Sequence, residues 1–192
     1  MNELVFFLEE ESAKVLLEQI LPRLIPAGSQ INPRFIVFDG KQDLEKQLPR
    51  KLKGYLNQRA RFIVMRDQDR SDCKNAKRDI AKLCKLAGRP DATIRIACHE
   101  LESFYLGDLR ATESGLNLSG LASKQDKSKF RDPDRLVSPS QELEKLTGKR
   151  YQKVAGSRAI APHLNLQENR SRSFNHLIQA IRKAANELYS CS

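Results

Sequence analysis

Arg61-Phe-Ile-Val-Met-Arg-Asp67-Gln-Asp69 is the stretch that decides how this chain is read. Phe62 to Met65 is apolar without interruption, as in a strand covered on both faces of a parallel sheet. Two carboxylates follow at i and i+2. Side chains of an extended strand alternate with period two, so this spacing predicts that Asp67 and Asp69 leave the strand end on the same side. Open parallel sheets bind ligands beyond the carboxyl ends of their strands. Two like charges placed there repel, and a cation is the simplest reason for both to be present. The stretch therefore predicts a divalent-metal site, with Mg²⁺ or Mn²⁺ as the ion.

The same grammar extends in both directions. Leu4-Val-Phe-Phe-Leu8 reads as a buried strand, followed by Glu9-Glu10-Glu11-Ser12 and a helical recurrence of Val15, Leu16, Leu17, Ile20, Leu21 and Leu24 that ends at Pro26-Ala-Gly28. Arg34 to Phe38 is a second strand, with a turn at Asp39-Gly40. A basic helix follows from about Lys41 to Asn57, broken or kinked at Pro49. After Asp69, Ala76, Ile80, Leu83 and Leu86 mark a helix from Asp72 to Ala87, closed by Gly88-Arg89-Pro90. Thr93 to Cys98 is a fourth strand running into His99-Glu-Leu-Glu-Ser-Phe-Tyr-Leu-Gly-Asp108. Strands alternating with helices of this length predict an α/β fold, a mostly parallel sheet with helices on both faces. Strand order is not readable from this pattern.

Beyond residue 110 the character changes, which divides the chain into an α/β core (1–110) and a basic, helical and loop extension (111–192) packed on it as one domain. Ser119 to Pro139 is polar and rich in Lys and Ser. Gln141 to Leu146 and Ser173 to Leu188 read as two short helices around a loop centred on Ala159-Ile-Ala-Pro162. Between Leu121 and Ile160, ten Lys and Arg stand against five Asp and Glu. That stretch is either a solvated flexible face or a nucleic-acid surface, with Lys124, Lys127, Lys129, Arg131, Lys149, Arg150, Lys153 and Arg158, joined by Arg172, as the phosphate-facing cations.

Composition sets the outer bounds. The formal net charge is +10 over 192 residues, the electrostatic footprint of a polyanion partner, nucleic acid first. No apolar run approaches a membrane span, and the acid near the N-terminus does not suit a signal peptide. Cys73, Cys84, Cys98 and Cys191 show no CxxC pair and no zinc spacing with His99, His163 or His176, so reduced thiols in the cytoplasm are expected.

Acids recur at three strand exits: Glu9 after the first, Asp67 and Asp69 after the third, Glu100 and Glu102 after the fourth. Parallel strands end on one edge, so these groups can converge. Mg²⁺ takes one or two carboxylates and completes its shell with water and phosphate oxygens, which suits a phosphodiester substrate. Glu10 and Glu11 also read as helix-start charges, and Glu102 as the surface residue of a helix starting near His99.

A Glu after the first strand and a DxD after the third resemble a Toprim domain, itself a Rossmann-like α/β fold. More narrowly, the chain resembles the prokaryotic Toprim-like domain-of-unknown-function family DUF4276. Leu8-Glu9-Glu10-Glu11-Ser12-Ala13 is similar to that family's VEGxTE segment, and Asp67-Gln68-Asp69 with Cys73 to its DxD near a Cys. Glu100-Leu-Glu102-Ser-Phe-Tyr-Leu-Gly-Asp108 is similar to ExEAWLLAD, and Tyr151-Gln-Lys153 with Arg172-Ser173-Phe174 to a late YxK…R…SF region. Glu10 stands where the family has Gly, and Ala13 where it has a second Glu. The resemblance implies Glu9 as general acid/base or ligand, Asp67, Asp69 and Glu102 as Mg²⁺ ligands, and Glu10, Glu100 and Asp108 as supporting acids. It also implies an ABC-type ATPase partner in a phage-defence setting.

Other chemistries find no foothold. Leu146-Thr-Gly-Lys-Arg150 lacks the upstream Gly and following Ser/Thr of a Walker A loop. No nucleophile elbow supports Ser-His-Asp catalysis, and Tyr105 reads as core rather than nucleophile. The expectation is a metal-dependent nuclease. A silent scaffold that binds nucleic acid or regulates an ATPase, favoured by Glu10 and Ala13, is the first rival, and phosphoryl transfer on a small nucleotide the second.

Overall fold

A computed structural model describes residues 1–69 and 71–190; Cys191 lies outside the described residues. Four strands form one parallel sheet in the order β2-β1-β3-β4: β1 (Asn2–Leu8), β2 (Ile31–Val37), β3 (Ala60–Asp67) and β4 (Thr93–Ala97). The two apolar runs that announced β1 and β3 are the two central strands, and Leu4 to Leu8 are fully buried. Their side chains divide by parity. Leu4, Phe6, Leu8, Ile63 and Met65 enter one core; Val5, Phe7, Phe62 and Val64 enter the other.

Each core is closed by its own helices. α1 (Glu11–Ile20) covers the first with Leu16, Leu17 and Ile20, while α2 (Lys41–Lys53) and α3 (Cys73–Leu86) cover the second with Leu44, Leu48, Leu52, Ile80 and Cys84. The link from β1 thus leaves on one face and the link from β3 on the other. The crevice between β1 and β3 is the topological switch point, where ligands of such sheets bind.

The extension is part of this fold. α4 (Ser103–Leu106), α5 (Leu109–Gly115), α6 (Pro139–Leu146), α7 (Lys153–Ile160) and α8 (Arg172–Ser190) all add to the first core. α8 inserts Phe174, Leu177, Ile178, Ile181 and Leu188 against the sheet. At about 1.5–3 kcal/mol per buried large apolar side chain, that face alone anchors the segment.

Several boundaries differ from the sequence reading. Pro49 is accommodated inside α2, which ends at Lys53 rather than near Asn57. The loop expected around Ala159 to Pro162 is instead the end of α7 and a 3-10 turn, because Ile160, Ala161 and Leu164 are fully buried against α1 and α5. Gly156 and Pro162 mask the helical pattern there. The last helix is not short: it runs for 19 residues. The polar stretch after Ser119 is tied down, since Gln125 donates to the carbonyls of Leu106 and Phe130 and accepts from Leu109 N–H, while Glu113 accepts from Leu121 and Ala122 N–H.

Candidate active site

The exits of β1 and β3 are laced together by main chain and side chain. Glu9 N–H donates to Met65 O at 3.3 Å, and Asp67 N–H donates to Glu9 Oε2 at 3.1 Å. Gln68 N–H then donates to Ala97 O and Asp69 N–H to His99 O, which hangs the acidic loop on the exit of β4. Asp69 (φ 56°) and His99 (φ 57°) are both left-handed, a region that Asp and His tolerate better than most residues. This turn ends the period-two alternation. Asp67 and Asp69 therefore do not share a side, contrary to the expectation from spacing.

Asp67 points into the first core's edge and is 9% exposed. Burial pushes its carboxyl well above the usual carboxylate range, and the charges of Glu10, Glu102 and Glu9 push it further, against Lys153. Glu102 is completely buried rather than on a helix surface. Its Oε1 accepts a hydrogen bond from Tyr151 Oη at 2.9 Å, while its Oε2 is buried with no hydrogen-bond partner. Burial raises its pKa too, and Lys153 and the Tyr151 bond only partly offset this. Glu10 closes the group: it accepts from Ser12 Oγ and holds Lys153 Nζ at 3.0 Å. Burial alone would lower the Lys153 ammonium, but Glu10, Glu102 and Asp67 outweigh it and raise it.

Asp69 lies on the other side, 48% exposed, with Oδ2 3.7 Å from Arg66 Nη2. Arg66 is almost wholly buried beneath the loop. Its Nε donates to Asp67 O at 2.9 Å and stands 4.0 Å from Glu9 Oε2; Nη1 donates to Glu45 Oε1 at 2.7 Å; Nη2 has no hydrogen-bond partner. Glu9 sits between the two sides. Burial raises its pKa, relieved by the Asp67 N–H and Arg66 and reinforced by Asp69 and Glu10.

The structure thus brings together Glu9, Glu10, Asp67 and Glu102, and holds Asp69 apart on Arg66. Glu100 and Asp108 serve elsewhere. Glu100 Oε2 accepts from Ser140 N–H at the start of α6. Asp108 caps α5 through Ala111 N–H and accepts from Asn165 N–H. Of the expected phosphate-facing cations, Lys153 belongs to the acid group. Lys129 pairs with Glu142, Arg172 with Asp132, and Arg131 donates to Asp126 O. Lys127, Lys149, Arg150 and Arg158 are exposed, and Lys124 is half-buried. Arg66 and Tyr151 are site residues that chemistry-by-spacing missed. The signal for Arg66 was a cation closing an otherwise apolar strand.

A buried carboxylate oxygen without a partner, near two more carboxylates whose proton affinity is raised, Asp67 and Glu9, suits a hard cation held by oxygen. Among the described residues no group of three or more His, Cys, Asp or Glu side chains is placed to hold a metal ion. The donors present therefore fit Mg²⁺ or Mn²⁺ bound by one or two carboxylates, with water and substrate oxygens for the rest. Asp67 and Glu102 are the residues that would hold it.

A family model described as "Domain of unknown function (DUF4276)" matches residues 8–182 of the chain. No curated protein and no solved structure matches it.

Proposed function

The chain belongs to the DUF4276 family, and we propose that its β1–β3 crevice is the active site of a Toprim-like, Mg²⁺- or Mn²⁺-dependent nuclease that cleaves phosphodiester bonds of nucleic acid. One observation carries the reading: Glu102 Oε2 is buried without a hydrogen-bond partner while its charge acts on the buried Asp67, an arrangement a cation completes. A bound divalent ion supplies positive charge for the oxygens of the scissile phosphate. Glu9, whose proton affinity is raised by burial, exchanges a proton with the attacking water or the leaving oxygen. Lys153 is 53% exposed and presents its ammonium at the open side of the acids, where a non-bridging phosphate oxygen would sit. Tyr151 holds Glu102, and Arg66 holds the Asp67 carbonyl.

Glu10, the acid at the family's Gly position, supports activity rather than its loss. Ala13 is buried in the core, while Glu10 is the largest charge acting on Asp67. The net charge of +10 suits a polyanionic substrate. The absence of a Walker A motif leaves any ATP hydrolysis to a separate ABC-type ATPase, the partner this reading includes in a defence setting. Among the described residues no helix is long and apolar enough to cross a membrane, and a cytoplasmic site of action fits the thiols.

A silent nucleic-acid-binding or ATPase-regulating scaffold is the second reading. It is favoured by Lys153, whose ammonium already neutralises part of the acid group. DNA and RNA incubated with the purified protein and Mg²⁺ or Mn²⁺, beside Asp67→Asn and Glu9→Gln, separate the two. Cleavage lost in both variants supports the nuclease. Cleavage surviving both removes this site, and binding without cleavage, with the ATPase supplied, supports the scaffold.

A further inference from the structure

A second basic face lies on the helices that cover the second core. α3 carries Lys74, Lys77, Arg78, Lys82 and Lys85 against a single acid within the helix, Asp79. The buried residues Ala76, Ile80 and Cys84 define its inner face. At 3.6 residues per turn Lys74, Arg78, Lys82 and Lys85 fall on the opposite side, a stripe about 16 Å long, with Lys77 at its flank. α2 repeats the device: Lys46, Arg50 and Lys53 lie opposite Leu44, Leu48 and Leu52. The two helices pack side by side, so the stripes are neighbours.

Salt bridges are scarcer on this surface than on the extension. Lys46, Arg50, Lys53, Lys74, Lys77, Arg78 and Lys85 are exposed and make no salt bridge among the described residues; only Lys82 does, with Asp79. In the extension, Lys129, Arg135, Lys145, Lys153, Arg170 and Arg172 are each matched with a carboxylate, while Lys127, Lys149, Arg150 and Arg158 are exposed without a salt bridge among the described residues. Unpaired surface cations release counterions on meeting phosphates, whereas paired ones first have to break a contact.

Position ties the stripe to the acids. α2 and α3 start at the carboxyl edge of the sheet, α3 at Asp72, just past Asp69. Neither helix contains an aromatic residue, so their faces offer no stacking platform for unstacked bases. Only Leu86 of the large apolar side chains on α2 and α3 is exposed, too little to seat a helix face in lipid.

We propose that the outer face of α2 and α3 is the docking surface for the phosphate backbone of duplex nucleic acid, leading it to the β1–β3 crevice. This rests on the nucleic-acid reading above and names the surface that serves it. Contact is through phosphates alone, so it carries no sequence preference.

The test compares two removals of equal charge. In an Asp67→Asn background kept in a chelator to prevent metal-dependent cleavage, Lys74, Lys77, Arg78 and Lys85 are changed to Gln in one variant. Lys124, Lys127, Lys129 and Arg131 are changed to Gln in the other, the rival surface. Binding of a fluorescent DNA duplex of about 24 base pairs is measured by anisotropy across a salt series, with circular dichroism to verify folding. The α3 variant is expected to bind roughly 30- to 100-fold more weakly near physiological salt, with its salt slope reduced by about 3. The extension variant is expected to change several-fold less. A larger loss in the extension variant overturns this docking surface and leaves the nuclease reading standing. No duplex binding by any form, or α3-dependent binding of phosphatidylserine vesicles instead, overturns the nucleic-acid reading as well.

Discussion

Asp67 and Asp69 are two residues apart and end in opposite surroundings. Asp67 is buried among Glu9, Glu10 and Glu102, where neighbouring charges raise its proton affinity. Asp69 is half exposed and faces the buried Arg66. The first is an acid in need of a cation, and the second already has one. What divides them is the left-handed backbone of Asp69 itself, held by the bond from its N–H to His99 O, which breaks the strand's alternation two residues after Asp67. Spacing rules for a strand hold only as far as its extended dihedrals do.

The largest expected effect breaks this pair directly. Asp67→Asn should lower metal-dependent cleavage by on the order of 10²–10⁴-fold, and Asp69→Asn by roughly tenfold or less. Equal losses in a steady-state assay would show that the two acids act as one site. Glu102 and Glu100 extend the contrast. Glu102→Gln should match the Asp67 loss, while Glu100→Gln should cost only about 1 kcal/mol of stability through the start of α6.

Next in size is the support beneath Glu102. Tyr151→Phe leaves both oxygens of a buried carboxyl without partners, so chemical denaturation should report a loss of about 1–3 kcal/mol. Gly156→Ala should reproduce part of this, because a Cβ there would collide with the Tyr151 ring. A Tyr151→Phe protein as stable as wild type would mean that Glu102 finds another donor.

The smallest effect concerns protons. Asp67, Glu9 and Glu102 bind protons more tightly folded than unfolded. Between those values the folded state holds the extra protons, so the free energy of unfolding falls as pH rises. This stability is complete below the ordinary carboxylate range and is lost as pH climbs through the raised values. In a chelator, the Asp67→Asn melting curve should depend less on pH and lie about 2–4 °C higher near neutrality. A steeper dependence in the variant would reverse the sign of the account.

The parts of the molecule that sequence reading reached follow from their physics. The strands showed as Leu4 to Leu8 and Phe62 to Met65, because burial on both faces leaves nothing but apolar residues. Glu9, Asp67 and Glu102 were named because parallel strands share an exit edge. Three things were hidden: the turn at Asp69, which depends on a contact with His99; the α7 helix, stabilised by packing rather than by its own Gly156-containing sequence; and the place of Lys153, which joins the acids only through the fold. The supporting roles expected of Glu100 and Asp108 rest on the family resemblance, and helix starts use those side chains instead.

The central claim, a divalent cation held by Asp67 and Glu102, is met most directly by thermal melting with and without Mn²⁺. A ligand that binds only the folded state raises the melting temperature, and the rise grows with the logarithm of its concentration above the dissociation constant. Wild type and Asp69→Asn should both be stabilised as Mn²⁺ is added, and Asp67→Asn and Glu102→Gln should not. An unchanged wild type, or an equal rise in all four proteins, would contradict it.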